Sequence, residues 1–197
     1  MPTTPLTHEA LIEAFTERAR AVAALVSTVR SVEEAAALIA SSEVPTVTGR
    51  HTATSQALAH YAGLREALQG RGIVLRLAEE LDTGVGGQSA TAASMAGDVG
   101  IVLCRAGVAE TGSLLSVEET LAARLLGMLA DTVYALLPAP GIVPTLDEMG
   151  HTLAQLSREG TRYVSLITGP SRTADIERVL TIGVQGPKML HIIILNA

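Results

Sequence analysis

Continuous apolar runs, spaced from residue 44 to the C-terminus, constrain the fold of this chain more than any other feature. Several carry hydrophobic side chains at successive positions, as in the segment HIIIL at residues 191–195. Such runs are typical of strands that are buried on both faces of a mostly parallel sheet. We predict strands at residues 44–48, 73–77, 99–103, 112–117, 133–137, 163–167 and 190–195, several of which contain such runs. The strand at 112–117 is expected to pair with the strand at 99–103.

Helical patterns alternate with these strands, and this alternation predicts an α/β layer fold. The predicted helices of this part are residues 54–69, 118–130, 146–159 and 173–181. Two more helices are predicted nearer the N-terminus, at residues 7–26 and 31–41, the second beginning with a capping box of Ser31 and Glu34. We therefore expect an N-terminal helical segment, residues 1–43, followed by one α/β domain, residues 44–197.

Composition excludes several classes of function. The chain has no Trp, one Phe and three Tyr among its 197 residues, and its formal net charge is −6. Proteins that stack nucleic-acid bases need aromatic platforms, and duplex DNA binders need a basic face. A single Cys excludes a disulfide framework and a Cys-ligated iron–sulfur cluster within the chain, and the five His show no metal-binding spacing. We expect no nucleic-acid partner, no metal and no cofactor of its own.

Membrane segments are not expected either. The N-terminal residues carry no apolar signal-peptide core, and the uncharged stretch at 132–146 is short and contains three Pro. These features predict a cytoplasmic protein without a membrane span.

A strand that runs into Gly169 and Pro170 is the first candidate for a binding loop. The predicted helix after it would present free N–H groups and its positive dipole end to an anion. Ser171 and Thr173 could donate hydroxyl hydrogens to that anion, and Arg172 could hold a carboxylate or phosphate with two hydrogen bonds. An ordinary helix cap would account for the same hydroxyl side chains.

The turn that contains Glu110 is the second candidate. If the turn is enclosed, the Glu110 carboxylate could act as a base, a nucleophile or the partner of an Arg. A solvated glutamate in a turn is the alternative. Two other glycine-containing loops carry weaker signals, because residues 183–188 are typical of a helix stop and residues 84–89 lack the full GxGxxG pattern. Cys104 is predicted to be a small buried hydrophobic residue.

Three of these segments together resemble the LUD domain of the lactate utilization protein C family. They are the run from Thr168 to Glu177, the run GVQGP at residues 183–187, and the turn from Ala109 to Ser113. The resemblance covers about residues 44–197. Three positions depart from the family pattern: Gln185 stands where the family has His, and Val102 and Arg105 stand where it often has Thr and Asp.

The resemblance implies a three-layer α/β fold with a mostly parallel sheet, as in CoA transferases and ribose-5-phosphate isomerases. It also implies a component of an L-lactate oxidation system, with iron–sulfur clusters held by partner subunits. The candidate loops themselves indicate that this chain holds a small anionic ligand. We expect Glu110 and Arg172 to be catalytic residues that face one cleft. The ligand-binding residues would be Thr111, Gly112, Ser113, Gly169, Pro170, Ser171, Thr173, Asp175, Gly183, Gln185 and Gly186.

Two other functions stay open at this point. The same fold serves enzymes that act on phosphorylated or CoA-linked small molecules, so the chain could be a free-standing enzyme of that kind. It could also be a binding scaffold without a catalytic role.

Overall fold

The computed structural model describes residues 7–41, 44, 48–83, 95, 98–161, 163–174, 180–182 and 186–196, with the backbone alone described at 82, 83, 173, 174 and 180–182. The strands are β1 (Leu25–Val29), β2 (His51–Ala53), β3 (Leu75–Leu77), β4 (Val99–Val108), β5 (Ser113–Val117), β6 (Thr132–Pro138), β7 (Ile142–Val143), β8 (Val164–Ile167), β9 (Arg172–Ala174), β10 (Leu180–Ile182) and β11 (Met189–Leu195). The α-helices are α1 (His8–Ala21), α2 (Val32–Ser41), α3 (Ser55–His60), α4 (Leu64–Gln69), α5 (Leu121–Leu129) and α6 (Leu146–Arg158), and short 3-10 helices form at Glu79–Thr83 and Ala139–Gly141.

The main sheet has the strand order β1-β11-β6-β4-β2-β3, and every neighbouring pair in this order is parallel. Successive residues of a strand point to opposite faces. In β6, for example, Val133 and Ala135 belong to one hydrophobic cluster, whereas Tyr134 and Leu136 belong to another. Both faces are therefore buried, which explains why the apolar runs are continuous.

Helices cover the two faces and complete a three-layer arrangement. Phe15 and Ala19 of α1 and Leu126 of α5 pack on the first face. Ile39 of α2 and Leu64 of α4 pack on the second, together with α3. The predicted three-layer α/β fold with a mostly parallel sheet is confirmed.

Strand β4 continues beyond the main sheet and carries a smaller one. A break in register between Cys104 and Ala106 redirects β4, whose second half pairs with β5 in the antiparallel sense and with β7 in the parallel sense. Strand β8 then pairs antiparallel with β5. Helix α6 covers this small sheet through Met149 and Leu156. The predicted pairing of the 112–117 strand with the strand before it is confirmed.

The buried Asp98 carboxylate ties three strands of the main sheet together. It accepts hydrogen bonds from Thr52 Oγ1 at 2.8 Å and from Arg50 Nε at 2.9 Å, and it forms an ion pair with Arg76. Thr48 Oγ1 donates to the same carboxylate at 2.9 Å. Because burying a carboxylate without such partners is costly, this cluster holds the start of β4 against β2 and β3.

The predicted helix at 7–26 is wrong beyond Ala21. Ala23 has a positive φ of 66°, and the chain then enters β1, an edge strand that pairs in parallel with β11. The apolar spacing of Val22 and Val26 suits a helical stripe, but pairing with a distant strand decides the conformation. The described N-terminal residues thus give the main sheet a strand besides supplying α1 and α2.

Three further predicted elements need correction. The helix at 54–69 is divided into α3 and α4, and Gly63 between them has φ 87°. Val44 and Thr48 carry no strand, residues 45–47 lie outside the described residues, and the strand of this region is β2. The helix at 173–181 is wrong at its described residues, because β9 and β10 pair as antiparallel strands, whereas residues 175–179 lie outside the described ranges.

Candidate functional site

The two turns that carry the predicted motifs meet at the C-terminal end of α1. Gly112 has φ 68°, and a Cβ built on it would lie 2.3 Å from the Ala19 backbone N. Gly169 has φ 74°, and its Cβ would lie 2.3 Å from the Val22 carbonyl O. Both positions therefore require glycine, for the left-handed backbone and for the close approach of the α1 backbone.

A chain of hydroxyl groups links the same two turns. Thr111 Oγ1 lies 2.7 Å from Ser113 Oγ, which lies 2.8 Å from Thr168 Oγ1. Ser113 is buried, so these contacts satisfy a hydroxyl that water does not reach freely. The turns are thus joined by packing and by hydrogen bonds.

Glu110 lies at the beginning of α6. Its Oε2 accepts a hydrogen bond from the Leu146 backbone N at 3.1 Å, and its own backbone N donates to the Pro144 carbonyl O at 3.0 Å. Thr145 caps the same helix. A carboxylate at a helix N-terminus is stabilised by the helix dipole, so this position gives the exposed Glu110 side chain a structural role.

Arg172 begins strand β9 and is exposed. The helix expected to begin here is wrong at its described residues, so no helix N-terminus supplies free N–H groups and a dipole end to an anion. Anion binding by residues 169–173 stays a prediction. Within the described ranges, no hydrogen bond or ion pair joins Arg172 to Glu110. Their placement in one cleft stays a prediction.

A cavity of about 210 Å³ lies between α5 and the strands β5 and β8. Three of the predicted ligand-binding residues contribute to its wall: Gly169, Ser171 and Gly186. These loops are held together by a hydrogen bond of 2.9 Å from the Ser171 backbone N to the Pro187 carbonyl O. The structure thus brings the two C-terminal motif segments to one cavity.

The other predicted site residues lie elsewhere or are not described. Those absent from the cavity wall are Glu110, Thr111, Gly112, Ser113, Pro170 and Arg172. Thr173 belongs to β9, but its side chain lies outside the described part of the chain, as do Asp175, Gly183 and Gln185 entirely.

The cavity contains a buried carboxylate that the motifs do not include. Glu118 is only 9% exposed, and its Oε2 accepts a hydrogen bond from Ser165 Oγ at 3.1 Å. No cation among the described residues lies within ion-pair distance of this carboxylate. The contact depends on the pairing of β5 with β8, in which Ser116 lies opposite Ser165. A local sequence pattern carries no signal for it, since Glu118 and Ser165 are 47 positions apart.

Arg124 on α5 lines the same cavity. The side chain is exposed, and its guanidinium carbon lies 5.1 Å from the centroid of the Tyr163 ring, a cation–π contact with a half-exposed residue that does not line the cavity. The cavity wall therefore carries one positive and one negative group, with no ion pair between them in the described structure.

Cys104 lies in β4 opposite Ser116 and is fully buried. Burial, together with the negative charge of Glu118, raises the pKa of the thiol to about 12. Since the thiolate is the reactive form, Cys104 is inert in the folded chain. The predicted buried, hydrophobic Cys104 is confirmed.

The described ranges contain neither a membrane-spanning helix nor a cluster of metal-ligating side chains. No helix in those ranges is long and apolar enough to cross a bilayer. No group of three or more His, Cys, Asp or Glu side chains in them is placed to hold a metal ion.

The fold and the site define a three-layer α/β protein with a small cavity bounded by the loops at residues 169–171 and 186–187. The sequence pattern of the LUD domain matches residues 12–195, and the chain belongs to the LUD domain family. The predicted resemblance to this family is confirmed.

Curated relatives agree with this assignment, and a solved structure agrees with the fold. A protein named lactate utilization protein C from Bacillus velezensis is 33% identical over 102 residues, which cover 50% of this chain and 42% of that protein. A protein of the same name from Exiguobacterium is 30% identical over 102 residues, covering 50% and 44%. The matches therefore span less than half the length of these relatives. The crystal structure of a DUF162 family protein from Deinococcus radiodurans superposes with a TM-score of 0.64 at 21% identity, covering 98% of this chain and 100% of that one.

Proposed function

We propose that this chain takes part in lactate utilization as a component that holds no redox cofactor of its own. In this proposal it binds a small anionic ligand in the cytoplasm and supports partner subunits that carry iron–sulfur clusters. The observation that carries the proposal is the LUD domain match over residues 12–195, with relatives named lactate utilization protein C. The single, buried Cys104 agrees with it, since Cys-ligated clusters would have to lie in partners.

The cavity beside α5 is the part of the chain that suits a small ligand. Its volume of about 210 Å³ is below the roughly 300–1,000 Å³ that is usual for pockets that enclose drug-sized molecules. A ligand of a few carbon atoms fits within it. The exposed Arg124 on the wall supplies a positive charge for an anion, beside the negative Glu118 on the same wall.

A growth experiment in the native host tests the role in lactate utilization. We expect a strain that lacks the gene to grow normally on glucose and poorly on L-lactate, and the full-length gene to restore growth. Equal growth of the deleted and parent strains on L-lactate would contradict the proposal.

A second experiment tests the partners. The full-length protein, tagged and isolated from cells grown on L-lactate, should bring down proteins whose iron and acid-labile sulfide contents are stoichiometric. Recovery of the chain without any iron–sulfur protein would overturn the partner part of the proposal and leave the growth result unaffected.

The alternative of an enzyme for phosphorylated or CoA-linked substrates has less support. It relied on a helix beginning at Thr173 as an anion cradle, and the described residues there form β9. A CoA thioester would also have to extend beyond the cavity, whose volume is about 210 Å³.

A further inference from the structure

The Glu118 carboxylate is buried without a compensating positive charge among the described residues. It is 9% exposed, and Ser165 Oγ is the donor that those residues place on it. The other carboxylate oxygen, Oε1, receives no hydrogen bond from the described part of the chain and is not among its buried, unpartnered atoms, so it is open to the cavity. A ligand that enters the cavity has to replace the water at this oxygen with a hydrogen-bond donor.

A carboxylate of this kind selects a ligand that donates a hydrogen bond. An ionised carboxylate only accepts hydrogen bonds, so the ligand group that faces Glu118 has to carry a hydrogen on oxygen or nitrogen. Ser165 already occupies Oε2, which leaves Oε1 for the ligand.

The rest of the cavity wall determines which chemical group the other end of the ligand carries. Arg124 lines the cavity and can hold a carboxylate through paired N–H donors. The wall also includes aliphatic side chains of the main sheet, among them Val102, Val133 and Leu190. A matching molecule is small, with a carboxylate, a neighbouring donor and a short aliphatic part.

We propose that this cavity binds a short 2-hydroxy carboxylic acid, with Arg124 holding its carboxylate and Glu118 accepting a hydrogen bond from its hydroxyl group. The proposal rests on the proposed function, because the relatives named for lactate utilization favour a hydroxyl group over an ammonium group as the donor. Glu118 and Arg124 act here as ligand-binding residues.

Calorimetric titration of the purified full-length chain with L-lactate, pyruvate and L-alanine tests the assignment. We expect L-lactate to bind at least about tenfold more tightly than pyruvate, because pyruvate has no hydroxyl hydrogen and places a carbonyl oxygen against the Glu118 carboxylate. Tighter binding of L-alanine than of L-lactate would overturn the hydroxy-acid assignment, and so would the absence of binding by L-lactate.

Two substitutions separate the roles of the charged groups. Glu118→Gln keeps the shape of the side chain but replaces an acceptor by a group that also donates. It should weaken L-lactate binding about tenfold and strengthen pyruvate binding, since the amide N–H can reach the carbonyl oxygen. Arg124→Gln should weaken both ligands by a similar factor of at least about ten.

Glu119→Gln is the matched control, because Glu119 is the next residue and does not line this cavity. It should leave both affinities within about twofold of the parent chain. If Glu118→Gln lowers the affinities for L-lactate and pyruvate equally, Glu118 does not distinguish the hydroxyl group of lactate from the carbonyl group of pyruvate, and the proposal is wrong. Equal unfolding midpoints of the variants confirm that folding is not the cause.

The outcomes also separate this inference from the proposed function. Binding of L-lactate by a chain whose deletion leaves growth on L-lactate unchanged would overturn the proposed function and retain the site. A growth defect together with no binding of L-lactate would retain the proposed function and overturn the site.

Discussion

Gly112→Ala tests the close contact between the Glu-Thr-Gly turn and α1. The new Cβ would lie 2.3 Å from the Ala19 backbone N, whereas ordinary van der Waals contacts begin near 3.4 Å. The α1 backbone would have to retreat by about 1.1 Å, the difference between these two distances. Ala19 and Phe15 of α1 are fully buried in the main core, so this retreat disturbs packed side chains.

Two costs combine in this substitution. A left-handed conformation costs an alanine about 1–2 kcal/mol. Forcing extra volume against packed backbone costs about 1–3 kcal/mol more. We therefore expect Gly112→Ala to lower the free energy of unfolding by about 2–5 kcal/mol.

Gly160→Ala is the matched control, because Gly160 has φ 83° and no atom lies within 4 Å of the position that its Cβ would take. It bears the conformational cost alone, about 1–2 kcal/mol. Urea unfolding of both variants, followed by circular dichroism, measures the difference, which should be about 1–3 kcal/mol. Equal destabilisation by the two substitutions would refute the claim that the turn is packed against α1.

Three other outcomes follow from buried polar groups. Asp98→Asn should lower the free energy of unfolding by about 3 kcal/mol, because two Arg side chains and the buried Thr52 hydroxyl lose their common carboxylate. Asp131→Asn, in the more exposed ion pair with Lys188, should lower it by less than about 1 kcal/mol. Urea unfolding of both variants measures the two costs, and equal costs would contradict this expectation. Burial lowers the pKa of His191 below 6.5, so as the pH falls the unfolded chain takes up a proton before the folded chain does. The stability that neutral His191 contributes is fully present above pH 6.5 and is lost as the pH falls from 6.5 towards the pKa of the folded chain. His191→Gln should reduce this loss, measured as the difference in the free energy of unfolding between about pH 7.5 and about pH 5.5. Burial raises the pKa of the Cys104 thiol to about 12, so this thiol should resist iodoacetamide in the folded chain and react after unfolding in urea. Rapid labelling of the folded chain would contradict its burial.

Strands of the main sheet could be predicted because burial on both faces requires apolar residues at successive positions of the local sequence. The predicted strands at 133–137 and 190–195 lie within β6 and β11, whose residues are apolar at successive positions. Helix α6 was predicted to within one residue, since Thr145 and Gly160 bracket it with a cap and a left-handed stop.

Strand β1 could not be predicted, since Val22 and Val26 suit a helical stripe and only pairing with β11 makes residues 25–29 a strand. Its Ser27 meets His191 across 164 positions of sequence, a contact that no local pattern encodes. The same holds for β9 and β10, whose pairing replaces the predicted helix start at Thr173.

The candidate site was predicted in part for a related reason. Glycine motifs are visible in the sequence, and Gly169, Ser171 and Gly186 do line the cavity. Glu118 and Arg124 carry no motif, and they enter the cavity because β5, β8 and α5 come together in the fold. Glu110 was the visible carboxylate, but its hydrogen bond to the Leu146 backbone N places it at the start of α6.

A crystal structure of the chain grown with L-lactate would show whether the cavity beside α5 holds the ligand. We predict one lactate molecule between α5 and β8, with its carboxylate on the Arg124 guanidinium and its hydroxyl oxygen within about 3 Å of Glu118 Oε1. Lactate bound instead at the turn that contains Gly112, or an empty cavity at saturating lactate, would contradict the account.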